Sequence, residues 1–140
     1  MKKSFTSILL GAFLAFFACS EDEAPEQQVV GNWELIESIG SWPVDSSSDT
    51  ELDFTTNYQF NFDGTFTKTR TTDDVEEEAT GNYTVVSNTD GTYIDLTFES
   101  GLEIIESCHS ETEVFVLKSK NRLEGTWGTC DGMKFIFSKR

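Results

Sequence analysis

Phe54-Thr55-Thr56-Asn57-Tyr58-Gln59-Phe60-Asn61-Phe62, then Asp63-Gly64, then Thr65-Phe66-Thr67-Lys68-Thr69-Arg70-Thr71: two alternating runs flank a pair of turn residues. Tyr58, Phe60 and Phe62 recur with a period of two, which is the period of a strand with one face turned to a core. Asp-Gly between such runs is a strong hairpin signal. The hairpin has two registers. A two-residue turn pairs Phe60 with Thr67 and sends Phe66, Lys68 and Arg70 outward. A three-residue loop with Gly64 in a bulge pairs Phe60 with Phe66 and turns Lys68 and Arg70 inward beside Tyr58. Two buried cations would need an anion, either a carboxylate of the protein or the head group of a ligand. On the surface they would be solvated, as such side chains commonly are.

The same alternation extends along the chain on either side. Strands are expected over Val30–Ser38, Gly81–Val86, Thr92–Phe98, Leu102–Ser107, Thr112–Lys118, Arg122–Trp127 and Met133–Phe137. Trp33 and Leu35 share a face, Ile94, Leu96 and Phe98 face inward, and Met133, Phe135 and Phe137 close the pattern. Asp90-Gly91 is a second hairpin turn, Gly40–Thr50 is a loop holding Trp42-Pro43, and Thr72–Glu78 reads as an acidic loop. No segment after Val30 carries a helical period. Short strands in sequence with turns between them predict an all-β fold, a small antiparallel up-and-down barrel of about eight to nine strands. Closure removes the edges that an open sheet would expose.

The 140 residues allow one domain, and the formal charge of −15 argues against a nucleic-acid partner. Hydrophobic residues at 37% and aromatics at 13% are too many for a disordered chain. Met1-Lys2-Lys3 precedes an apolar run from Ile8 to Phe17, too short to span a bilayer and suited to a secretory signal. The run closes on Ala18-Cys19 and resembles the bacterial lipobox. That resemblance implies a signal peptide over residues 1–18 and diacylglycerol on Cys19, with a flexible tether over residues 19–29 and the barrel over residues 30–140. Ser20-Glu21-Asp22-Glu23 is similar to the export signal of surface lipoproteins of Bacteroidota, with a solvated acidic linker as the alternative. The expected location is the outer membrane, on its outer leaflet at the cell surface, with the periplasmic face as the alternative.

Three cysteines are an odd number for an exported chain. With Cys19 acylated, Cys108 and Cys130 remain to form a disulfide; two buried thiols or a metal pair with His109 are the other readings. His109 lacks the spacing of a metal motif. The carboxylates Asp73, Asp74, Glu76, Glu77 and Glu78 lack the calcium-loop pattern. Trp42-Pro43 reads either as an exposed anchor or as a cap on the barrel mouth. No GxSxG, HExxH or P-loop occurs, and a single histidine leaves little base chemistry, so the chain reads as a non-enzyme without cofactor or metal.

Gly31-Asn32-Trp33 opens the first strand with a GxW. It resembles the first motif of the calycin group, the lipocalins and fatty-acid-binding proteins. Gly31-Asn32-Trp33-Glu34-Leu35, Phe60-Asn61-Phe62-Asp63-Gly64-Thr65-Phe66, Gly81-Asn82-Tyr83 and Phe135-Ile136-Phe137-Ser138-Lys139-Arg140 follow in an order similar to that of lipocalin-like lipoproteins of Bacteroidota. The resemblance implies that Trp33 packs across one barrel end and that Arg140, or else Arg122, stacks on it. Classical lipocalins carry a long helix after the barrel, and the expected last strand here, Met133–Phe137, lies at the end of the 140 residues without such a pattern behind it. The expected function is binding of a small apolar or amphipathic ligand against Tyr58, Phe60, Phe66, Lys68, Arg70, Ile94, Leu96 and Phe98. The alternative is an accessory subunit with a filled barrel, docked on an outer-membrane protein.

Overall fold

The structure is a computed structural model that describes residues 23–40, 52–108, 111–130 and 132–140. A helical turn, α1 (Pro25–Val29), leads into β1 (Gly31–Ile39). The strands β2 (Phe54–Phe60), β3 (Thr65–Thr72), β4 (Val75–Asn88), β5 (Gly91–Ser100), β6 (Thr112–Ser119), β7 (Arg122–Gly125) and β8 (Lys134–Lys139) follow. Each strand pairs with its sequence neighbours, and β1 pairs with β8, so the eight strands form a closed antiparallel barrel. This architecture is compatible with a lipocalin-like fold. At the base lie α1, the β2–β3 loop, the β4–β5 and β6–β7 turns and Arg140; the other end is the mouth.

The hairpin takes the register that turns the cations inward. Phe60 pairs with Phe66 and Tyr58 with Lys68. Asn61 N–H bonds to the Thr65 carbonyl at 2.9 Å, closing a loop of Phe62, Asp63 and Gly64. Gly64 supplies the positive φ of 83° that this bulged loop requires. The Asp63 carboxylate locks the loop by accepting from Thr65 N–H at 3.0 Å and Thr65 Oγ1 at 2.6 Å.

Four expectations are corrected. The acidic segment is not a loop: β3 turns into β4 at Asp73-Asp74, both with positive φ, and Glu76, Glu77 and Glu78 pair with Thr71, Arg70 and Thr69. Ladder hydrogen bonds here outweigh the low strand propensity of a carboxylate run. Leu102–Ser107 is not a strand. Gly101 adopts φ 68° and the chain enters a 3-10 turn over Leu102–Ile104, leaving Leu102 exposed and Ile104 buried. Within the tether expected over residues 19–29, Pro25–Val29 forms α1 and brings Val29 into the core. Phe62 sits at the loop tip, 83% exposed, and Met133 precedes β8, half out of the barrel, so neither extends the inner face.

Aromatic side chains fill the interior. Tyr58 stacks near Phe60 at 5.9 Å and meets Phe115 and Phe137 edge-on at 5.2 Å each. Phe66 meets Phe98 at 4.9 Å. A barrel of this size is narrow enough for its own side chains to fill. Gly81 permits the close approach of β4 to β5, since a Cβ there would lie 2.0 Å from the Thr97 carbonyl oxygen.

Candidate functional site at the barrel interior and mouth

Inward alternation on β3 places Lys68 deep in the barrel and Arg70 one step nearer the mouth. Glu113 reaches the same level from β6. The Lys68 ammonium donates to Glu113 Oε1 at 2.7 Å and to the Ile104 carbonyl at 2.5 Å. The Tyr58 hydroxyl donates to Glu113 Oε2 at 2.5 Å, and Glu106 N–H donates to Glu113 Oε1 at 2.7 Å. The Glu113 carboxylate, fully buried, thus accepts three hydrogen bonds. Arg70 pairs with Glu106 and lies over the Phe54 ring, 4.4 Å from its centroid. Glu106 Oε2 stands 3.6 Å from the Lys68 ammonium. Two cations and two carboxylates therefore face one another inside the barrel. The anion that Lys68 and Arg70 require comes from Glu113 and Glu106, as buried charges demand.

All eight residues expected to line a ligand share the inner face. Tyr58, Phe60, Phe66, Lys68, Ile94, Leu96 and Phe98 are each at most 5% exposed, and the rings pack against one another. Arg70 alone of the eight reaches the mouth, with a side chain 16% exposed. The sequence reading did not include Glu113, Glu106, Trp127 or Thr56, whose hydroxyl oxygen accepts from Arg70 Nε–H at 3.5 Å. Glu113 had a signal, because Glu113, Phe115 and Leu117 share one parity; Glu106 had none, lying inside Leu102–Ser107, which was expected to be a strand and instead follows a 3-10 turn.

At the base, Trp33 is fully buried and its indole N–H donates to the Val29 carbonyl at 2.7 Å, as the GxW reading implies. The cation over it is neither Arg140 nor Arg122. Lys139 holds its ammonium 5.8 Å from the Trp33 ring and donates to the Gln28 carbonyl at 2.8 Å. Arg140 pairs outside with Glu34, and Arg122 with Glu124 at 2.9 Å. Strand parity explains the shift: Lys139 pairs with Trp33 across β8 and β1. Gly31 leaves room for it, since a Cβ there would meet Lys139 Cε at 3.0 Å.

Cys108 and Cys130 form a disulfide with Cα atoms 5.9 Å apart, as cysteine parity predicted. Beside it at the mouth opens a cleft of about 320 Å³, lined by Ile105, Glu106, Trp127, Met133 and Phe135. Glu106 Oε2 and Trp127 Nε1 are both buried without a hydrogen-bond partner. Such atoms are costly unless something pairs with them. A larger groove of about 460 Å³ crosses the outer wall between Ile39, Val116, Gly125 and Lys134, away from the interior network. Among the described residues no cluster of three or more His, Cys, Asp or Glu is placed to hold a metal, and no helix is long and apolar enough to cross a membrane. Cys19, the acidic tetrad, Trp42-Pro43 and His109 lie outside the described residues.

Burial raises the Glu106 pKa, outweighing the opposite pull of Lys68 and Arg70. Burial and then the Glu113 charge raise that of Tyr58 well above the usual phenol range. For Glu106 the sign is that of a carboxyl holding its proton more tightly when folded. The stability it contributes is full below the ordinary carboxylate pKa and is lost as pH rises through the raised value. Glu106→Gln should flatten this part of the curve of urea midpoint against pH. Equal slopes in the two proteins would refute it.

Compared with protein-family models, curated proteins and solved structures, the chain matches none.

Proposed function

We propose that the chain is a lipocalin-like lipoprotein of the outer membrane, held through acylated Cys19, that binds a small amphipathic molecule at the mouth of its barrel without catalysis. The observation that carries this reading is two buried atoms that make no hydrogen bond, Glu106 Oε2, with only the Lys68 ammonium 3.6 Å away, and Trp127 Nε1, on residues lining one cleft. A pocket with apolar walls and a few polar groups is the usual form of a ligand site. The rings that pack the interior support a site at the mouth rather than in the middle of the barrel. Because Arg70 already has Glu106, a carboxylate ligand would compete with a protein carboxylate. A neutral amide or hydroxyl fits better: its oxygen accepts from Trp127 and its hydrogen donates to Glu106.

Titration of the purified protein with decanamide and decanoate tests this. Decanamide should bind more tightly than decanoate, and Trp127→Phe should weaken it about fivefold to tenfold, the worth of one hydrogen bond. If neither compound binds, or decanoate binds better, the reading fails. The anchor is tested separately by Cys19→Ser, which should release the protein from the membrane fraction; continued sedimentation with membranes would refute it.

The packed interior favours a second reading, an accessory subunit docked on an outer-membrane protein. That reading predicts that the gently solubilised protein migrates on native gels with a partner's mass. Migration as a single chain counts against it.

A further inference from the structure

The two ends of the barrel differ in charge. Of the ten Lys and Arg, Lys2 and Lys3 precede Cys19, and Lys118, Lys120, Arg122, Lys139 and Arg140 sit at the base. They form one patch. Arg122 pairs with Ser138 across β7 and β8, Lys139 N–H donates to the Asn121 carbonyl at 3.4 Å, and Arg140 N–H donates to the Asn32 carbonyl at 2.9 Å. Lys118 and Lys120 are exposed and make no ion pair among the described residues. The base also holds acids. Glu34 pairs with Arg140 and Glu124 with Arg122, Asp63 keeps its charge while accepting from Thr65, Asp90 lies on the β4–β5 turn and Glu26 on α1. The mouth carries Asp73, Asp74, Glu76, Glu77, Glu78 and Glu103, and its cations are both paired, the half-buried Arg70 with Glu106 and Lys134 with Glu124. Phe62, the most exposed large apolar side chain described, is at the base as well.

The chain enters the barrel at this end. Cys19 precedes Pro25 by six residues, a span of at most about 22 Å in any conformation. We propose that the basic patch of the base rests on the anionic lipid headgroups of the membrane, with Phe62 at the interface and the acidic mouth directed away. This rests on the acylated Cys19 of the function proposed above. Lysines and arginines near an anionic leaflet each add attraction that salt screens, and an exposed aromatic ring suits the interface. Glu21, Asp22 and Glu23 of the tether oppose it. The orientation therefore depends on the patch on β6, β7 and β8 rather than on net charge.

Amide hydrogen exchange on the purified lipoprotein tests this, with the protein placed on phosphatidylglycerol-containing vesicles or on pure phosphatidylcholine vesicles. Peptides covering 61–64 and 118–122 should exchange severalfold more slowly on the anionic vesicles only. The difference should vanish in 0.5 M salt (a Debye length of about 4 Å) and in Lys118→Glu/Lys120→Glu, while peptides over 73–78 stay unchanged. Equal exchange on both vesicles, or protection confined to 73–78, overturns the proposal. The protein's intact mass reports the anchor independently. If no acyl group is present, the unacylated chain is added to the same vesicles: anionic-specific protection of the base still supports the face, and its absence overturns it.

Discussion

Lys68→Met should lower the unfolding free energy by about 3–5 kcal/mol, the usual cost of removing one partner from a buried ion pair. The ammonium is wholly buried, and its main partner is the equally buried Glu113. Without it, Glu113 keeps only the Tyr58 hydroxyl and the Glu106 N–H, two neutral donors against a full charge. The Ile104 carbonyl also loses its donor. The aliphatic stem of methionine replaces the volume, so a cavity does not explain the loss. The double variant Lys68→Met/Glu113→Leu should recover part of it, since replacing both members of a buried pair is often close to neutral. Recovery stays incomplete because Tyr58 and Glu106 N–H then lack an acceptor. Urea unfolding measures both. A cost under about 1 kcal/mol for Lys68→Met would mean that the charge is not sealed in the barrel.

Cys108→Ala/Cys130→Ala should cost about 3 kcal/mol and lower Tm by roughly 10 °C. The bond joins positions 22 apart and closes a loop through β6 and β7. Most of the effect lies in the unfolded chain, which loses a constraint. A local effect follows from position: Cys130 and Trp127 both line the mouth cleft, so the variant should also weaken any ligand held there. Calorimetry of the oxidised and doubly substituted proteins reads the first effect. An unchanged Tm would show that the bond adds no constraint.

Strand period and Asp-Gly turns were legible because each is a local rule, and the cysteine pair because it needs only a count. Tyr58, Phe60, Ile94, Leu96 and Phe98 follow a two-residue period that points them inward, and the fold agrees. The misread segments are those where local preference lost to a partner. Glu76–Glu78 became strand because β3 offered a ladder, and Leu102–Ile104 left the sheet because Gly101 turned the chain. Lys139 took the place over Trp33 through its register with β1, which no residue type announces.

From its residues alone the chain read as all-β, with a Cys108–Cys130 disulfide as one of three readings, because alternation and a cysteine count need no knowledge of distant neighbours; the structure shows the barrel and the bond. Only the tertiary structure decided which way Lys68 points and what meets it. A one-residue change of register flips a strand's faces, and the carboxylate that makes the inward choice tolerable arrives 45 positions later from another strand.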